Sequence, residues 1–180
     1  MPPPELISTN RVPGDAPLRV TIPALGIDAP VETLGLLANG AMAVPQFVSD
    51  AGWLQTGPMP GSAGNAVIGG HLDGNAGEPA AFWGLSRLRP GDAIIVTTAT
   101  GTQLRFGVVR IGQYQRQAVP LVTVFGPSRE PHLNLITCAG PYLKDHRTYR
   151  DRLVVYTRLA PPSGDWAGTV PTDWLPFRAI

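Results

Sequence analysis

The chain carries one thiol, Cys138, and three imidazoles, His71, His132 and His146, so any cysteine chemistry must be assembled from few parts. Cys138 ends a short apolar run, His132-Leu133-Asn134-Leu135-Ile136-Thr137-Cys138, and Ala139-Gly140-Pro141 follows at once. A lone cysteine cannot close an internal disulfide, which leaves packing or reactivity as its role. The run reads as a strand and the Gly-Pro pair as the opening of a loop. A strand end meeting a loop is where a rigid scaffold presents a reactive side chain. The alternative is a buried cysteine acting as a small hydrophobe, and a partner base and a cation decide between the two.

A thiol attacks as its thiolate, so a nucleophilic cysteine needs a group that takes its proton or lowers its pKa. His71 ends the apolar segment Asn65-Ala66-Val67-Ile68-Gly69-Gly70-His71, where the two glycines permit close packing or a sharp turn. His132 lies in the same strand as the cysteine, and six extended residues span about 20 Å, so it cannot reach. His146 reaches only if its loop folds back. His71 is therefore the candidate acid or base, with a hydrogen-bonded core histidine as the other reading. Acyl transfer also needs positive charge where an oxyanion develops. Arg150 and Arg152 open the final apolar segment, two residues apart and so on one face of a strand. Arg158 lies too far along that strand to share the site.

The elements that must hold these groups follow from composition and pattern. At 180 residues the chain makes one domain with room for a core that needs no disulfide staples. Glycine (21) and proline (20) are abundant, yet Val/Ile/Leu runs separate them, which describes many short strands joined by turns. Strands are expected at 18–22, 31–34, 41–44, 65–71, 93–98, 102–111, 132–138 and 152–159. The segment 50–64 reads as a loop, 78–88 as the best helix, and 121–124 as a helical turn. Thr100-Gly101 links a hairpin. Residues 1–16 form a lead-in, 17–160 the folded unit, and 161–180 a tail bearing Trp166 and Trp174. A net charge of +1 gives no electrostatic reason to expect a nucleic-acid partner. No run of 18 apolar residues and no basic-then-apolar leader is present, so the chain as written is expected to be soluble.

Three segments together carry a resemblance: Gly70-His71-Leu72-Asp73, Leu135-Ile136-Thr137-Cys138 and Tyr149-Arg150-Asp151-Arg152-Leu153-Val154-Val155-Tyr156. Over residues 17 to 159 the chain resembles a sortase, the cysteine transpeptidase of Gram-positive surfaces. The runs from Trp53 to Gly61 and from Ala66 to His71 look most like the actinobacterial class F group, with class E next. The resemblance implies an all-β fold, a closed eight-stranded barrel with short helices and long loops. It implies cleavage of a Leu-Pro-x-Thr-Gly-type (LPxTG) sorting signal at the Thr–Gly bond through a thioester on Cys138. His71 would serve as acid and base, and an arginine would stabilise the oxyanion or hold the peptide; the family pattern favours Arg150 through its Tyr-Arg-Asp run, with Arg152 the alternative. Thr137 would contact the peptide by hydroxyl or backbone, and Asp73 would orient the His71 ring.

The same resemblance places residues 113–131 in the specificity loop, where Ala118, Val119, Leu121, Val122 and Val124 would line an apolar groove. The partners would be the sorting-signal peptide and an amine, either a cell-wall precursor or a protein lysine. The expected place is the outer face of the cell membrane or the cell wall, reached through an anchor this chain lacks. No zinc or calcium ligand spacing is present, so neither metal nor cofactor is expected. Two other classes stand beside this one: an L,D-transpeptidase-like cell-wall cysteine enzyme, and a secreted β-barrel binding module whose cysteine is inert.

Overall fold

A computed structural model describes residues 15–161. The lead-in and tail expected at 1–16 and 161–180 lie almost wholly outside the described residues. Eight strands run in chain order: β1 (Pro17–Ile22), β2 (Ile27–Leu34), β3 (Ala51–Leu54), β4 (Gly64–Gly70), β5 (Ala93–Thr98), β6 (Gln103–Gln115), β7 (Pro131–Leu143) and β8 (Thr148–Leu159). A five-residue helix, α1 (Leu121–Phe125), sits in the connection between β6 and β7. The strands close into a barrel in the order β1-β2-β3-β4-β7-β8-β6-β5, so no sheet edge is left open. The expected closed eight-stranded barrel is what the chain forms.

Period-two patterning explains both faces of the sheet. Leu133 and Leu135 of β7, with Leu153 and Val155 of β8, enter the main core beside Ile68, Phe82 and Phe106. The alternate residues Ile136, Val154 and Tyr156 face outward and pack with Val67, Val124 and Leu54 in a second cluster. That outer face is where α1 rests. Asn134, 1% exposed in the midst of an apolar strand, is the polar exception, and its partners explain it. Its amide donates to Asn65 Oδ1 (3.2 Å) and to the carbonyl of Val124 (2.9 Å), while the Asn65 amide donates to the carbonyl of Gly126 (2.8 Å). Two buried asparagines thus bolt α1 and its C-terminal turn to β4 and β7, meeting carbonyls that the short helix leaves open.

Four local readings change. Residues 78–88 form turns and a single 3-10 turn (Leu85–Arg87) instead of an α-helix. The Ala81 and Phe82 amides donate to Val48 and His71 carbonyls rather than to a preceding turn, and Phe82, Leu85 and Leu88 gain their spacing by dropping into the core. Four residues inside the expected 50–64 loop, Ala51–Leu54, are buried as β3, paired in parallel with β2 and antiparallel with β4. The expected strand at 41–44 reduces to one bridge between Leu36 and Met42. Strand β7 runs on through Gly140 and Pro141 to Leu143, where a loop was expected. The pairing with β8 absorbs an irregularity between Ala139 and Tyr142, where Gly140 takes a left-handed φ of 73°.

Candidate active site

Cys138 is the fourth residue of an outward series along β7: His132, Asn134, Ile136, Cys138. In the antiparallel pair with β8 these face Arg158, Tyr156, Val154 and Arg152 respectively. The sheet therefore presents a ladder of rungs on its outer face, polar at both ends and apolar at Ile136 and Val154. On the other side of β7 the parallel strand β4 keeps step, with Val67 beside Asn134 and Gly69 beside Ile136. The Thr137 hydroxyl donates to the carbonyl of Gly70 (2.8 Å) just past that ladder. Continuing in register by two residues from Gly69 and Ile136 leads to His71 and Cys138. A side chain at Gly70 would collide with the Phe82 ring, which lies 2.6 Å from where its Cβ would sit, so this strand end needs glycine for close packing.

His71 is fixed by its environment. Its Nε2 lies 2.9 Å from the carbonyl oxygen of Pro45. A carbonyl only accepts, so this nitrogen carries the proton, and the neutral ring keeps its lone pair on Nδ1. Asp73 does not orient the ring as expected; it accepts a short hydrogen bond from the Tyr149 hydroxyl. That bond pushes the Tyr149 phenol up to about 12, and the Tyr149 ring packs edge-on against Tyr142 with centroids 5.2 Å apart.

The two candidate arginines part company. Arg152 stands directly across from Cys138. Its Nη1 donates to the carbonyls of Asp151 (2.8 Å) and Tyr149 (3.1 Å), and its Nη2 approaches the Thr148 hydroxyl (3.4 Å), which holds the guanidinium over the start of β8. Arg150, with half of its side chain exposed, is turned to Asp151: Nε donates to Oδ1 at 2.8 Å and Nη2 to Oδ2 at 3.0 Å. Asp151 is itself buried, and that fork together with the Gln113 amide holds its carboxyl down at about 2. The charge of Arg150 is therefore engaged, while that of Arg152 acts on the cysteine. Burial pushes the Cys138 thiol above its ordinary value, Arg152 pulls it back, and the Asp73 carboxylate adds to the rise.

The remaining expected contacts divide by face. Thr137 is buried, with its hydroxyl committed to Gly70, so its side chain locks β7 to β4. Val119 packs against the second cluster and Val124 is fully buried in it. Ala118 is exposed in the 3-10 turn Arg116–Ala118, and Leu121 and Val122 stand 63% and 81% exposed on α1. His146 sits exposed in the 3-10 turn Lys144–His146, and His132 lies at the far end of the ladder. Two functional candidates escaped the sequence reading, Tyr149 and the Asn134–Asn65 pair. A buried-strand pattern interrupted by Asn134 was the available signal for the second.

The model of the sortase domain family matches residues 20–160. No curated protein matches the chain. Among solved structures, the chain is similar to sortase A from Corynebacterium diphtheriae, with 21% identity over 86% of this chain and 65% of that one, at a TM-score of 0.62. It is similar to sortase C-1 from Actinomyces oris, with 20% identity over 79% of this chain and 73% of that one, at a TM-score of 0.63. It is also similar to the sortase C2 of the group B Streptococcus pilus island 1, with 23% identity over 79% of this chain and 73% of that one, at a TM-score of 0.59. These likenesses share the barrel, and the family match spans both the histidine and the cysteine. The chain belongs to the sortase family, whose members are cysteine transpeptidases.

Proposed function

We propose that the protein cleaves an LPxTG-type sorting signal between Thr and Gly and passes the acyl group to an amine, with Cys138 as nucleophile, His71 as acid and base, and Arg152 as the oxyanion or peptide-holding cation. One observation carries the reading: Cys138 faces Arg152 across β7 and β8, while His71 directly follows the end of β4, the parallel neighbour of β7 whose last pair is Gly69 with Ile136. His71 takes the Cys138 thiol proton, the thiolate so formed adds to the Thr carbonyl carbon, and Arg152 stabilises the negative oxygen. Collapse breaks the C–N bond as His71 gives its proton to the departing Gly amine. A thioester remains. The incoming amine then adds, His71 takes its proton, and the thiolate leaves.

The apolar row of Ile136 and Val154, with the exposed Leu121 and Val122 on α1 and Ala118 and Val119 before it, suits the Leu and Pro of such a signal. The sequence runs from Trp53 to Gly61 and Ala66 to His71 support a class F assignment, which carries with it the outer membrane face or cell wall as the place of action. Incubation with fluorogenic peptides tests the proposal. Cleavage at Thr–Gly, accelerated by an added amine nucleophile and absent in Cys138→Ala, supports it; cleavage retained by Cys138→Ala refutes it.

A further inference from the structure

At the far end of the ladder from Cys138 the outer face opens into a cleft of about 370 Å³, lined among others by Arg110, His132, Arg158, Tyr156, Thr123 and Ser128. Its floor is the last two rungs, Asn134 with Tyr156 and His132 with Arg158. Its basic groups are held in place. The Arg110 guanidinium lies 3.6 Å from the centre of the Tyr156 ring, and its Nη1 donates to the Tyr114 hydroxyl at 3.1 Å. His132 Nδ1 lies 3.0 Å from the Thr157 carbonyl, so it donates there, and Nε2 is the ring's other polar atom. Among the described residues, the acid in ion-pair contact with these basic groups is Glu130, whose approach to Arg158 is a loose 3.9 Å between exposed side chains. An exposed pair of that kind is weak and exchangeable. The cleft thus presents three basic side chains and the hydroxyl-bearing Thr123 and Ser128, with the loosely held Glu130 carboxylate beside Arg158.

Its place relative to Cys138 says what it reads. The acyl half of the substrate must stay bound as the thioester after the amine half departs, so the walled face belongs to the acyl half. The Ile136–Val154 rung lies between Cys138 and the cleft, and α1 reaches the cleft itself through Val122 and Thr123. Asn134 and His132 are four and six residues from Cys138 along β7, about 13 and 20 Å. An extended peptide advances about 3.4 Å per residue, so the cleft meets positions roughly four to six residues upstream of the reacting carbonyl. These are the one to three residues that precede the motif's Leu, which stands only three residues upstream of the reacting Thr. We propose that the Arg110–His132–Arg158 cleft binds an acidic side chain immediately upstream of the sorting motif, making this sortase selective for substrates with Asp or Glu there. The proposal rests on the sortase reading of the Cys138 site.

Three peptides sharing one motif, preceded by Glu-Glu, Ala-Ala or Lys-Lys, test it. The expected order of kcat/KM is Glu-Glu, Ala-Ala, Lys-Lys, with about a fivefold step between neighbours, expressed in KM and shrinking as salt rises. The double variant Arg110→Gln/Arg158→Gln brings the three values together. Equal kcat/KM for the three peptides on the unaltered enzyme overturns the proposal while leaving the catalytic reading intact. If none is cleaved, the catalytic reading fails. Titration of Cys138→Ala protein then still decides the cleft: tighter binding of the Glu-Glu peptide than of the Lys-Lys peptide supports it, and equal or reversed binding overturns it.

Discussion

Cys138 and Arg152 are cross-strand neighbours on β7 and β8, and the guanidinium lowers the pKa of a thiol that burial raises. Arg150, two residues earlier, is occupied by Asp151 through two hydrogen bonds. Arg152→Ala is expected to reduce kcat/KM by about 100-fold, the loss that follows removal of one oxyanion donor. Arg150→Ala is expected to change it by less than about threefold, as befits a partly exposed ion pair. Steady-state cleavage of a sorting peptide by the two variants checks this, and the reverse order would assign the catalytic cation to Arg150.

The electrostatics of the thiol give a second prediction. Removing the Arg152 cation leaves burial and Asp73 unopposed, so the Cys138 pKa rises in Arg152→Ala and less thiolate is present at a given pH. Removing the Asp73 charge acts in the opposite sense, and Asp73→Asn lowers the pKa. The pH profile of Cys138 alkylation should move to higher pH in the first variant and to lower pH in the second. A shift of both in one direction would contradict the assignment.

Asp151 supplies a pH-linked stability effect separate from catalysis. Its carboxyl is held at about 2 by Arg150 and Gln113, below the unfolded value. A depressed carboxylate contributes stability above the unfolded pKa, and that contribution is lost as pH falls through the folded pKa. Arg150→Ala should therefore lower the melting temperature near pH 6, and the deficit should shrink as pH falls from about 4 towards 2. Thermal scans across that window check it; a deficit that grows with acidity would be inconsistent.

The buried Asn134 anchors the helix that walls the groove. Asn134→Ala strips the Val124 carbonyl of its donor, which costs about 1–3 kcal/mol of stability, and loosens α1 from the sheet. KM for the peptide should rise more than kcat falls. Denaturant unfolding alongside kinetics measures both, and a variant of unaltered stability and KM would remove Asn134 from this role.

Much of this was legible in the chain. The short apolar runs at 132–138 and 152–159 mark strands, and His71 and Cys138 end their apolar runs in the expected order. The choice between the arginines was not legible, because it depends on pairing across the irregularity at Ala139 to Tyr142. Sequence distance from the cysteine cannot register a strand that continues through Gly140 and Pro141. Strand β3 was hidden for another reason: four residues between glycines and prolines are too few to show a period, and burial on both faces removes the alternation. The spacing of Phe82, Leu85 and Leu88 mimicked a helix because three core contacts made by successive turns fall at similar intervals.

The central claim is that Cys138 carries the acyl group. Intact-mass analysis of the protein mixed with a sorting peptide measures this directly. The expected result is an adduct equal to the peptide's acyl portion ending at Thr, located on Cys138 and released by hydroxylamine as the hydroxamate. Turnover of the peptide with no acylated Cys138, or the same product from Cys138→Ala, would contradict the account.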